Sequence, residues 1–209
     1  MENILIDDLP HTVDINGENW PIDWGYRALM LCEIDLFQPN KSDEVKMQEV
    51  LNIFYKDNVP DDIEVAMRQF LRFFTAKEEK QSEHDSMKAS SVRAYDFDQD
   101  AQLIYAAFRA QYGINLNRTK NKDLHWWEFL SMFNSLSDDL LISKVMYWRT
   151  VRLKDVPKSE RKFVRRMKKL YAIKGEQTQS DMKMKLMRRN AKMKEYVRKR
   201  MEACETSKR

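Results

Sequence analysis

The chain has 209 residues, 43% of them hydrophobic and 33% charged, with a formal net charge of +4. That is the balance of a soluble globular chain long enough to bury a core. Four Gly and five Pro leave little room for a many-turned sandwich or barrel and favour helices.

No run of about 18 uninterrupted apolar residues occurs, so no membrane-spanning helix is expected. The acidic start MENILIDDLP lacks the basic and apolar regions of a signal peptide. Charge is unevenly placed. Residues 152–209 hold 21 Lys and Arg against 7 Asp and Glu, a net of +14; the rest holds 16 against 26, a net of −10. The chain thus reads as an acidic body with a basic tail. Cys32 and Cys204 stand far apart without Cys neighbours, as free thiols rather than a disulfide framework.

In chain order, residues 1–23 read as β structure. Val13 and Ile15 alternate, Asn16-Gly17 follows, and Trp20 and Ile22 resume the alternation; Asn-Gly between alternating apolar residues signals a type I′ hairpin. Ile4-Leu5-Ile6 is a second candidate strand. A hairpin alone is marginal, so it must lie on the helices. Residues 24–38 carry apolar positions at helical spacing, with Pro39 just beyond, and 43–55 form a second helix. Asp61 with Glu64 reads as a carboxylate capping box opening a third, with Ile63, Met67, Phe70, Leu71 and Phe74 as its apolar face. Residues 76–92 are polar and read as a mobile loop. Three apolar helical segments follow, at 98–112, 124–136 and 138–149. Asp98 and Ser137 are candidate N-caps and Gly113 a candidate C′ residue. Residues 158–172 form a basic helix with Phe163, Met167, Leu170 and Tyr171 on one side. KGEQTQS (174–180) is a linker, and 181–204 a Met-rich basic helix bearing Met182, Leu186, Met193, Val197 and Met201. The fold class is therefore mainly α: a helical body with a small N-terminal hairpin at 1–173, and a basic helical extension at 174–209.

Motifs for chemistry are absent. His11, His84 and His125 stand in three separate segments, with no HxxxH or CxxC, so no metal site is expected. Asp96-Phe97-Asp98-Gln99-Asp100 begins like a calcium loop but has Ala101 where the turn needs Gly and Ala107 where a bidentate Glu is needed; N-terminal capping charge explains these carboxylates better. No glycine-rich phosphate loop or GxSxG elbow occurs. The expectation is no enzyme and no cofactor. For the basic tail three readings stand: a protein partner or acidic surface, a merely solvated face, or nucleic acid bound through phosphates. Trp126, Phe129, Leu130 and Phe133 share a helix face and read as core against Leu103, Ile104, Ala107 and Phe108. Trp127 falls off that stripe and reads either as core or as an exposed partner contact.

The stretch YDFDQDAQLIYAAFRAQYGINL (95–116), followed by LHWWEFLSMFNSL (124–136) and ISKVMYWRTVRLKDVPKSERKFVRRMKKLYA (142–172), resembles the phage gene-product-fifteen family, and the resemblance covers roughly 1–173. The family's genes lie between those for the tail tube and the tape measure. The resemblance therefore implies a tail assembly chaperone that binds the tape measure protein, with the tail tube protein and self-association as further partners. It brings no catalytic residues. It implies action in the host cytoplasm, absence from the mature virion and no membrane partner. Candidate partner-binding residues are Trp127 in the body and Met182, Leu186, Met193, Val197 and Met201 in the extension. The rival reading is a nucleic-acid-binding phage accessory or regulatory protein using the basic C-terminal helices; a small enzyme and a structural virion component are further alternatives.

Overall fold

The structure is a computed structural model that describes residues 4–76, 92–120 and 123–174. The chain divides into two units, Met1–Ile173 and Lys174–Arg209. The Met-rich helix expected at 181–204 and all but the ends of the expected loop at 76–92 lie outside the described residues.

The first unit is mainly helical with one antiparallel hairpin, β1 (Thr12–Ile15) and β2 (Glu18–Pro21). Val13 pairs with Trp20 and Ile15 with Glu18. The turn needs two residues at positive φ, and Asn16 (φ 54°) and Gly17 (φ 90°) supply them. Ile15 and Ile22 are buried, and β1 packs against the third helix, so the hairpin's inward face completes the core. The expected strand at Ile4-Leu5-Ile6 is instead a turn, with Leu5 89% exposed. Three apolar residues in a row do not alternate, and none of them enters a ladder.

Seven α-helices follow among the described residues: α1 (Tyr26–Leu36), α2 (Asp43–Tyr55), α3 (Ile63–Thr75), α4 (Ala101–Tyr112), α5 (Trp126–Asn134), α6 (Leu141–Thr150) and α7 (Arg161–Leu170); a short 3-10 turn, Leu153–Asp155, separates the last two. Ser42 caps α2 through the N–H of Val45, and Lys56 at φ 54° ends it. The cap of α3 is Asp62, whose Oδ1 accepts the Val65 N–H at 3.1 Å, one residue later than the expected Asp61. The α3 face is also rotated from expectation. Ala66, Phe70 and Phe73 are buried, whereas Ile63 is 44% and Leu71 48% exposed. An Ala can face the core where a larger neighbour would clash, and helical spacing alone does not rank two overlapping apolar stripes.

Asp98 and Ser137 do not cap helices. Asp100 precedes α4, but its carboxylate is committed elsewhere, and α6 begins after Leu140. Gly113 at φ 69° ends α4 as expected. On α7 the buried residue is Val164, while Phe163 and Leu170 are exposed and Met167 is half-buried.

The main core runs from the hairpin through α1 to α6. Trp126, Phe129 and Phe133 are at most 3% exposed, and Phe129 stacks on Phe108 of α4 with ring centroids 5.0 Å apart. Tyr26 donates its hydroxyl to the Leu116 carbonyl at 2.7 Å, and Arg27 donates to the carbonyls of Leu116, Asn117 and Thr119. Those bonds satisfy the loop between α4 and α5, where backbone carbonyls would otherwise lack partners. None of the described helices is long and apolar enough to cross a membrane.

Candidate functional site

The sequence block His125-Trp126-Trp127 marks where two helix starts are stitched together. Gly25 and His125 form an isolated antiparallel bridge: Tyr26 donates its N–H to Leu124 and Trp126 donates to Trp24. The start of α1 and the start of α5 thus satisfy each other's backbone. His125 caps α5 through Nδ1, which accepts the Trp127 N–H at 3.1 Å, while Glu128 returns an acceptor to the His125 N–H at 2.9 Å. With Nδ1 accepting, Nε2 carries the proton and donates to the Pro10 carbonyl at 3.1 Å. Burial holds the His125 pKa below its ordinary 6.5, in keeping with this neutral tautomer.

Around His125 the rings form a seam. His11 stacks on Trp24 at 4.5 Å and Trp24 stacks on His125 at 5.6 Å. Two histidines that are 114 positions apart in the chain therefore pack on one indole and lie 6.2 Å from each other. Phe73 meets both His125 and Trp127. The two indole N–H groups donate to successive carbonyls at the end of α3, Trp126 to Phe74 and Trp127 to Phe73, each at 2.8 Å. Those carbonyls belong to the last turn of α3, where the Phe73 carbonyl also accepts the Ala76 N–H at 3.2 Å. Trp126 is buried, whereas Trp127, Trp24 and Phe74 are half-buried. Leu71, exposed, lies on the helix face of Phe74 one turn earlier. The result is an aromatic, partly open surface on a rigid base.

Trp127 thus sits at the edge of the seam, in ring contact with Phe73 and also reaching the surface. The other candidate partner residues, Met182, Leu186, Met193, Val197 and Met201, lie outside the described residues. Adjacent positions on a helix point about 100° apart, so the neighbouring indoles gave no signal that their acceptors are successive carbonyls of α3.

The titratable groups elsewhere serve the fold. Asp96 Oδ1 accepts the N–H groups of Asp98 and Gln99, and Asp96 also pairs with Arg93 at 3.1 Å. Asp100 accepts the Asp96 N–H and binds Arg149 in a buried two-pronged ion pair, with Nη2–Oδ1 at 2.9 Å. Arg149 also donates to the carbonyls of Ala94 and Tyr171. Glu33, buried on α1, has its pKa raised to about 7 by burial, against the pull of Arg93 and a hydrogen bond from Tyr95. Burial pushes the Cys32 thiol up to about 12, which keeps it un-ionised and inert. Among the described residues no group of three His, Cys, Asp or Glu is placed to hold a metal ion.

The half-open aromatic seam on this mainly helical body is the candidate site. The chain's relationship is shown by comparison with known families: residues 5–173 match the family described as Bacteriophage Gp15 protein. The match covers most of the chain, and this protein belongs to that family and is a phage protein. No curated protein and no solved structure matches it. The seam lies wholly within the matched residues.

Proposed function

We propose that this protein is a tail assembly chaperone that binds the tape measure protein in the host cytoplasm during tail morphogenesis and is absent from finished particles. The observation that carries the proposal is the open α3 side of the seam: exposed Leu71 and half-buried Phe74, the latter stacked on Trp126 of α5, inside the part of the chain that defines a phage family. A tape measure is a very long helical chain with apolar stripes, and those stripes aggregate until the tail tube encloses them. An apolar, aromatic ledge receives the apolar face of such a helix, as grooves receive amphipathic helices elsewhere. Many copies along one long chain add avidity to weak individual contacts.

The test is co-expression of the full chain with the tape measure encoded beside it, followed by capture of the complex. Leu71→Asp is expected to reduce capture roughly tenfold, the scale of one lost apolar contact at an interface centre, with the melting temperature of the free protein unchanged. Capture that fails for the unaltered protein overturns the proposal, as does recovery of the chain in stoichiometric amount from purified particles by mass spectrometry.

A further inference from the structure

The outward face of α7 is built for a partner. Its ten residues hold six Lys or Arg and no carboxylate. Two of the six turn back onto the body: Arg161 donates to the carbonyls of Val156 and Lys154, and Lys168 to that of Val151. The other four, Lys162, Arg165, Arg166 and Lys169, are exposed. They stand three or four residues apart, where like charges on a helix repel. Among them Phe163 is 53% and Leu170 66% exposed. A solvated face has no use for two large apolar side chains among mutually repelling cations. A surface that is both acidic and apolar relieves both costs.

Such a surface exists on this same chain. The turn into α3, residues 57–64, contains Asp57, Asp61, Asp62 and Glu64, all exposed, and no Lys or Arg. In their midst Ile63 is 44% exposed. The nearest basic residue to Glu64, Arg68, pairs with it only at 3.5 Å and in solvent, which adds little.

We propose that α7 of one copy docks on the entrance of α3 of a second copy, Phe163 and Leu170 covering Ile63 while the four cations face the four carboxylates. The contact joins two different patches, so it is head-to-tail and leaves one patch of each kind free at the ends, which permits open chains of copies. Nucleic acid is the less suitable occupant. It has no use for Leu170, and the Phe163 ring already meets Trp148 edge-on at 5.9 Å instead of standing free to stack on bases. This inference holds whether or not the seam binds the tape measure, because it uses neither Leu71 nor Trp127.

The experiment is sedimentation of nuclease-treated full-length protein at low and at roughly 0.5 M salt, where exposed charges are screened beyond a few ångströms. Self-association is expected at low salt and its loss at high salt. Arg165→Glu/Arg166→Glu is expected to weaken it at least about tenfold, as is Asp61→Lys/Glu64→Lys, since like charges then face each other. Mixing the two variants is expected to restore association, because each reversed patch then finds its opposite. Circular dichroism melts of both variants verify that they fold. A monomer at low salt overturns the proposal, as does association indifferent to both reversals or a mixture that fails to recover. Binding of DNA or RNA by a chain that stays monomeric, abolished by the Arg reversal alone, assigns the face to a polyanion and overturns it equally.

Discussion

At the scale of single residues, the most consequential side chains are buried ones with one geometry open to them. Phe129 lies at the centre of the ring network, fully buried and in contact with Tyr26, Phe97, Phe108, Trp126 and Phe133. Phe129→Ala is expected to cost about 3–5 kcal/mol in denaturant melts, as the removal of a buried ring leaves a cavity that the neighbours fill only in part. Glu33 has a different effect. Its ordinary pKa of 4.5 is raised to about 7 in the folded protein, so the fold favours the neutral acid. The stabilisation from that preference is complete below 4.5, shrinks as pH rises and is gone above about 7. The full difference corresponds to at most about 3 kcal/mol. Glu33→Gln is expected to flatten the stability profile across that window, measured by urea melts at pH 5 and pH 8; an unchanged slope contradicts the assignment. His125 contributes with the opposite sign. Its pKa is lowered, so its contribution is present above 6.5 and is lost as pH falls through the folded value. The Glu33 variant should therefore be compared with unaltered protein at each pH.

At the scale of elements, the ends of helices are held by residues from elsewhere in the chain. The last carbonyls of α3 receive the Trp126 and Trp127 indoles from α5. The start of α4 and the end of α6 are joined by Asp100 and Arg149, each 3% exposed. Because Arg149 also holds Ala94 and Tyr171, one guanidinium fixes the chain before α4 and the chain after α7. Asp100→Ala leaves that charge buried with only carbonyl partners. The expected loss is about 3–5 kcal/mol, read from thermal or urea unfolding. A loss under about 1 kcal/mol shows that the guanidinium finds water once its carboxylate is removed.

At the scale of the whole molecule, the body is closed by Val164 and Ile173, both buried. The family match ends at the same point, residue 173. A chain cut after Lys174 is therefore expected to fold, with a melting temperature within about 2–4 °C of the full-length protein, the shift that about 1 kcal/mol produces in a domain of this size. An unfolded truncation assigns the later residues to the core.

The amino-acid order alone determined most of the local structure. Asn16-Gly17 specified the hairpin because few residues tolerate positive φ in succession. Gly113 specified the end of α4 for the same reason. The apolar spacing of Trp126, Phe129 and Phe133 specified a buried face because a helix has only one side to turn inward. The quoted motifs also sufficed to place the chain in its phage family. Tertiary structure alone decided which of two overlapping stripes on α3 is buried, since that depends on the surface it meets. It decided that Asp100 neutralises Arg149 rather than capping α4, because a buried guanidinium outbids a helix end for the same carboxylate. It also brought His11, Trp24 and His125 into one cluster of mutually contacting rings and set Trp127 at its edge. The contacts of His11 and Trp24 with His125 join residues more than a hundred positions apart, and local periodicity carries no information about pairings over such distances.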